Sequence, residues 1–174
     1  MTTEQPQAPG PQAPGPQAQR RGRRIAMTTS ELDAFLAAER TCRIATNGTD
    51  GPHVTPLWFC WDGASLWLYS LTRSQRWADL RRDPRIAVVI DAGTDYFELR
   101  GAEISGVAEP VGEQPRTGEP ADELVPVEAQ FAAKYFSADQ MLHDGRHAWL
   151  RVTPGKIASW DFRKIPAAPP GGSA

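Results

Sequence analysis

A mainly β, antiparallel barrel with a few helices is the fold this sequence predicts, and three observations predict it. Seven short segments are rich in β-branched and aromatic residues, the connectors between most of them are hairpin-length and carry Gly, Asp, Asn and Pro, and only three longer windows show helical spacing of apolar residues. At 174 residues the chain is the size of one ordinary domain with a tail, so one core is expected.

Residues 1–26 contain a Gln-Ala-Pro-Gly-Pro repeat and no aromatic side chain, too little apolar surface to offset the entropy of ordering, and a disordered tail is expected there. Its four arginines (Arg20, Arg21, Arg23, Arg24) and one glutamate give it a net charge of +3, which leaves −5 for the rest of a chain whose total is −2. A mildly acidic domain excludes a general nucleic-acid surface, and the arginine cluster reads as a solvated linker. No apolar run follows the cluster as in a secretory signal, and none approaches the roughly 18 residues of a membrane span. A soluble, cytoplasmic protein without membrane partner is the expectation.

The domain should run over 27–165. Thr28 and Glu31 form a capping-box pattern, with Leu32, Phe35 and Leu36 at helical spacing up to about Arg40. Strands follow at 41–46, 53–61, 65–71, 85–91, 96–109, 147–153 and 156–162, with NGTDGP, WDGAS, DAGTD and TPGK as turns. Pro56 lacks an amide donor, so its strand needs a bulge or a free edge there. Ser74 is a good N-cap for a helix ending near Arg82, because Asp83 precedes Pro84, and Trp77 and Leu80 would bury one face. Residues 112–122 read as a loop, 127–136 as a helix with Val127, Phe131 and Tyr135 on one side, and Ser137–His143 as a short helical turn. The Pro- and Gly-rich end, 166–174, should be disordered. Cys42 and Cys60 form no CxxC and lie in strands, as buried free thiols do.

Chemistry concentrates where the third strand meets the second helix. A helix start exposes unpaired N–H groups and a positive dipole end, and here the hydroxyls of Ser70, Thr72 and Ser74 and the guanidiniums of Arg73 and Arg76 surround it. That inventory suits a phosphate, and it equally suits an ordinary capped, solvated turn. No residue set forms a catalytic constellation. His53 and Tyr69 are candidate proton donors, and Trp58, Trp67 and Trp160 are either cleft walls or core. His143 and His147 have the spacing of a helical metal pair, but Gly145 between them breaks the helix, so no metal site is expected.

The order of GPHVTPLWF (51–59), the Ser74-x-Arg76 pair ahead of ADLRRDPR, ISGVAEPV (104–111) and WLRVTPGKIASWDF (149–162) resembles the pyridoxamine-phosphate-oxidase-like split β-barrel superfamily, and within it the B-type flavin/deazaflavin oxidoreductases. The resemblance spans about 28–164. It implies an FMN-binding-like, homodimeric split barrel whose second strand, through Thr55, Pro56, Leu57 and Trp58, presents backbone groups and apolar side chains to the flavin ring. The segment Tyr69-Ser70-Leu71 would meet the ring and ribityl chain. Ser74-Gln75-Arg76 stands where a Ser-Arg-Lys triplet holds the phosphate, so one cation is lost unless Arg73 replaces it. Gly101, beside Arg100, stands where the oxidases carry a glutamine. Trp160 matches a tryptophan near the flavin, yet the arginine that follows it in pyridoxamine-phosphate oxidases has no clear equivalent.

The implied cofactor is coenzyme F420, with FMN as the alternative and haem in a non-catalytic binder as a third reading. F420 has an acidic oligoglutamyl tail, for which Arg73, Arg81, Arg82 and Arg100 are candidate partners. The implied activity is transfer of a hydride between F420 and an unsaturated small-molecule substrate, with Ser70–Arg76 of one protomer and 156–163 of the other sharing the site. An open barrel of this size leaves apolar surface exposed, which agrees with dimerisation.

Overall fold

The computed structural model describes Gln17, Gln19 and residues 22–166. The tail expected at 1–26 and the C-terminus expected at 166–174 lie largely outside the described residues. Near the start, the Gln19 side chain is hydrogen-bonded both ways to the Ser159 backbone (2.9 and 3.1 Å), and Arg23–Ile25 make one 3-10 turn.

Six antiparallel strands, β1 (Thr41–Gly48), β2 (Gly51–Trp61), β3 (Leu66–Leu71), β4 (Arg85–Ala92), β5 (Arg100–Val111) and β6 (His147–Asp161), close into a barrel in the order β1-β2-β3-β6-β5-β4. Alternation decides which side chains fill it. Ile44, Phe59, Leu66, Leu68, Val88, Ile90, Ile104, Leu150 and Val152 point inward and are buried. Helix α1 (Thr29–Ala38) starts at the predicted capping box, with the Thr28 amide donating to Glu31 and the Glu31 amide to Thr28, and it adds Phe35 and Leu36 to the same cluster.

The outward faces of β2, β3 and β6 carry Cys60, Trp67 and Trp149, and these are covered by Val127, Phe131 and Tyr135 of α3 (Val125–Phe136), the side predicted from their spacing. Each such large apolar side chain contributes about 1.5–3 kcal/mol on burial. The Tyr135 hydroxyl ties the helix to β2, accepting from the Phe59 amide at 3.0 Å. Burial pushes the thiols of Cys42 and Cys60 up to about 12, so both are inert packing groups at neutral pH.

Three expectations are corrected. TPGK is not a turn, because β6 is continuous from His147 to Asp161 and β5 pairs with it along both halves. The register steps from Ser105↔Lys156 to Gly106↔Pro154, so Gly155 is an extra residue and the Pro-Gly pair makes a bulge that bends the strand without reversing it. Residues 96–98 form a 3-10 turn after Asp95, not the start of a strand, and β5 begins at Arg100. Ser137–His143 is irregular, since Ser137 takes a left-handed φ of 53° and ends α3 there.

The bulge gives a prediction. A Cβ on Gly106 would lie 2.1 Å from the Thr153 carbonyl oxygen, whereas one on Gly155 would meet Ser105 O at 3.7 Å. Gly106→Ala is expected to destabilise the barrel by about 1–3 kcal/mol, lowering the thermal midpoint by several degrees, with Gly155→Ala close to wild type. Equal midpoints for the two variants in a melting experiment would contradict this.

The barrel opens at one seam. β2 pairs with β3 only over Phe59–Trp61, while β2 continues along β1 back to Gly51 and β3 continues along β6 to Leu71. Pro56 lies in that stretch opposite Arg43 with no bulge, and the free edge expected of it faces the seam.

Candidate functional site

Helix α2 (Gln75–Arg82) follows β3 at the seam. The Ser74 hydroxyl accepts from the Trp77 amide at 3.2 Å and donates to the Leu71 carbonyl at 2.8 Å, so it serves as the N-cap. Trp77 and Leu80 are buried as their spacing requires, and with them Arg76 and Asp79. The amphipathic pattern carries two charges inward.

Arg76 spans the seam. Its Nη1 donates to Thr55 of β2, and its Nε and Nη2 donate to the Ser70 hydroxyl of β3 at 3.3 and 3.1 Å. The residue is only 6% exposed, and among the described residues no carboxylate pairs with it. Burial lowers its pKa from the ordinary value, but a guanidinium keeps its proton. With neutral hydroxyls as its partners, the buried Arg76 guanidinium keeps part of its desolvation cost uncompensated.

Asp79 is fully buried one turn on. Burial alone would raise its pKa, but hydrogen bonds from Gln75 (2.8 Å), Thr46 (3.0 Å) and Arg82 (3.4 Å) hold it below the ordinary carboxylate value. Gln75 is therefore occupied by Asp79 at i, i+4, and does not replace the second cation of the expected triplet. His53 Nδ1 sits 3.6 Å from Asp79, too far for a hydrogen bond, and has no other partner. It belongs to the Asp79 side and lines no cleft with Tyr69.

Outside the seam lies a cleft of about 580 Å³, within the range of small-molecule sites. Pro56, Leu57, Trp58 and Tyr69 of the two diverging strands form its floor, with Phe131 and Phe136 of α3 and Met141, Leu142, Asp144 and His147 as the far wall. Trp58 stacks on Tyr135 at 4.4 Å yet stays 42% exposed, so it is a wall, whereas Trp67 is core and donates its indole N–H to Asp62 at 2.6 Å. Sequence reasoning placed Tyr69 here but missed Asp144 and His147. His147 stacks on the Tyr69 ring at 4.9 Å and its Nδ1 is 2.7 Å from Asp144 Oδ2. His143, in contrast, contacts Glu128 at 3.1 Å, so the two histidines point to different partners.

The wall is held by a network that no local sequence pattern signals. Arg116, 4% exposed, donates to Glu128 of α3 at 2.8 Å and to Glu113 at 2.9 Å, while Glu128 also accepts from Trp149 at 3.0 Å. Loop 112–122 is thereby fixed to α3 and to the cleft wall.

Other expected site residues are dispersed. Thr72 donates to the Arg146 carbonyl through both its amide and its hydroxyl. Arg81 bonds Gln114, Arg82 bonds Asp79 and Asn47, and Arg100 lies 3.6 Å from Glu39 and over the Phe35 ring. Arg73 is exposed and its guanidinium has no partner among the described residues; the same holds for Arg146 beside it. Trp160 covers Gly101, where an added Cβ would meet its ring at 2.3 Å. It pairs far along β6 from Ala148, the partner of Ser70, at a distance of twelve residues or on the order of 40 Å of strand. Within this chain, Trp160 and Arg100 do not meet Arg76.

The family model described as pyridoxamine 5'-phosphate oxidase matches residues 28–161, which is the whole barrel. The chain belongs to this family. Its fold is the flavin-binding split barrel of pyridoxamine 5'-phosphate oxidase-like proteins. Among solved structures it is similar to a conserved hypothetical protein from Mycobacterium tuberculosis, at 31% identity over 90% of this chain and 99% of that one, with a TM-score of 0.69. It also shares the fold of an F420 reductase (20% identity, 72% of this chain and 94% of that one, TM-score 0.54). A haem storage protein from Vibrio cholerae has the same fold (15% identity, 74% and 91%, TM-score 0.57). No match was found among curated proteins. Among the described residues, no helix is long and apolar enough to cross a membrane.

Proposed function

We propose that this family member is an F420-dependent oxidoreductase that acts on an unsaturated small molecule. One observation carries the reading. Arg76 is a buried guanidinium held, among the described residues, by Thr55 and Ser70 alone at an open seam, beside a cleft floored by Pro56, Leu57 and Trp58. In this reading Arg76 binds the cofactor's phosphate and the floor takes its flat ring. The bound deazaflavin supplies the hydride chemistry, and the protein supplies orientation and exclusion of water.

F420 is preferred to FMN on two grounds. With Gln75 bonded to Asp79, a single cation faces the phosphate, which suits a cofactor that binds and leaves as a cosubstrate. The guanidiniums of Arg73 and Arg146, without partners among the described residues, flank the α2 start, where the acidic tail of F420 would emerge. A second copy of the chain would bring residues 156–163, Trp160 among them, to the site that one protomer leaves incomplete.

Titrating the purified protein with F420 is expected to quench the coenzyme's fluorescence with a micromolar dissociation constant. A flavin band in the absorption spectrum of the protein as isolated would favour FMN, and a Soret band would favour a haem binder. Absence of F420 binding at micromolar concentrations would overturn the proposal.

A further inference from the structure

Among the described residues, the polar lining of the cleft is Thr41, Tyr69, Asp144 and His147, and the Tyr69 hydroxyl is buried without accessible surface, so that residue offers only its ring. Asp144 and His147 form a pair with a defined direction. Burial would raise the Asp144 pKa, but hydrogen bonds from the Arg146 amide and from the ring and amide of His147 hold it below the ordinary carboxylate value. Asp144 is therefore ionised at neutral pH and can only accept, which puts the hydrogen of their 2.7 Å contact on His147 Nδ1. One face of the imidazole lies on the Tyr69 ring at 4.9 Å. Nε2 has no partner and, unlike the Tyr69 hydroxyl, is not buried. A carboxylate that fixes the tautomer and plane of an imidazole, with the other nitrogen left open, is the arrangement that general acid–base catalysis uses. It stands next to the seam: His147 pairs with Leu71, and the adjacent pair, Ala148 with Ser70, carries the hydroxyl that holds Arg76.

We infer that His147 is the proton donor of the reaction, acting through Nε2, and that Asp144 positions it. The inference rests on the reading of the Arg76 seam and the Pro56–Trp58 floor as the cofactor site, and it places the donor on the far wall, clear of that floor. Saturating a double bond takes a hydride and a proton, and the reduced cofactor supplies only the hydride. After hydride addition to an enone the substrate is an enolate. Its new C–H bond forms as the Nε2–H bond breaks, the electron pair stays on Nε2, and the ring is left neutral with Nδ1–H still on Asp144. Water at the open mouth returns the proton. His53 and Tyr69, the donors suggested by the sequence, do not take this role, since His53 lies beside Asp79 and the Tyr69 hydroxyl is closed off.

The test uses the full-length protein with cyclohex-2-enone as the probe. The chain has three histidines, so the ring-proton NMR signal that disappears in His147→Gln identifies His147. Without any cofactor, the enone is expected to shift that signal and to leave those of His53 and His143 in place. With reduced F420, the single-turnover rate of enone reduction should fall as pH rises through the midpoint of the His147 titration, because the protonated donor is lost. His147→Gln should lower the rate about a hundredfold or more and flatten that profile, with F420 affinity within about threefold of wild type. Asp144→Asn should lower the rate by less and move the rate midpoint and the NMR midpoint together, which a purely structural role would not do. A His147→Gln rate within about threefold of wild type, a pH profile that this variant leaves unchanged, no reduction of the enone by the F420-bound wild type, or a His147 signal that the enone does not move would overturn the inference. Fluorescence titration keeps the two readings apart. Absence of F420 binding to the wild type rejects the cofactor site, whereas normal F420 affinity in all three proteins with no dependence of rate on His147 rejects the proton donor alone.

Discussion

Arg76→Leu is expected to weaken F420 binding by about 1.5–3 kcal/mol, the worth of hydrogen bonds to a charged group, and to leave the barrel as stable as before or slightly more so. The two halves of this prediction belong together. Arg76 is buried, and its partners Thr55 and Ser70 are neutral, so in the free protein its charge is carried at a desolvation cost. Leucine removes that cost; it is shorter than arginine and leaves the Ser70 and Thr55 hydroxyls without this partner, a loss that removal of the buried charge is expected to offset. A residue that costs stability and is recovered on binding is the signature of a functional position. Fluorescence titration measures the first half and chemical denaturation the second. Unchanged affinity would remove Arg76 from the site, and a large loss of stability would make it structural.

Arg116→Leu should have the opposite profile. Removing it leaves Glu113 and Glu128 facing each other with no cation between them, and breaking a buried ionic network in this way typically costs about 3–5 kcal/mol. Denaturant midpoints would show it directly, and a variant within about 1 kcal/mol of wild type would contradict the network's role. The same network sets a pH dependence. Hydrogen bonds from Thr117 hold Glu113 at about 2, against an ordinary 4.5, with the amides of 117–119 adding to them and burial opposing. Glu128 is also depressed, because Arg116, His143 and Trp149 outweigh the effect of burial. Groups with depressed folded values stabilise above the unfolded pKa and lose that contribution as pH falls through the folded one. Stability should therefore decline between about pH 4.5 and pH 2, less steeply in Glu113→Gln.

How far these features could be read in the sequence depends on their range. Local chemistry was legible: the Thr28–Glu31 capping box, the Ser74 cap, the Val127/Phe131/Tyr135 face and the alternating strands all follow from neighbours a few residues apart. Pro56 pointed correctly to a free edge, because a missing donor is a property of the residue itself. Pro154-Gly155 misled for the same reason. Locally it is turn chemistry, and only the length of β5 on the other side keeps the strand running. Gln75 could have been assigned to Asp79 from helical spacing, and Arg81, Arg82 and Arg100 could not, since Gln114, Asn47 and Glu39 approach them through the fold. Arg116 lay in a stretch that reads as loop, and Asp144 and His147 acquire meaning only beside Tyr69, more than seventy residues earlier in the chain.

The central claim is that the β2–β3 seam at Arg76 holds the phosphate of a flavin-type cofactor. A crystal structure of the protein with F420 tests it most directly. The phosphate oxygens are expected within hydrogen-bonding distance of the Arg76 guanidinium, and the deazaflavin ring against Pro56, Leu57 and Trp58. F420 bound with its phosphate elsewhere, and Arg76 still bonded only to Thr55 and Ser70, would contradict it.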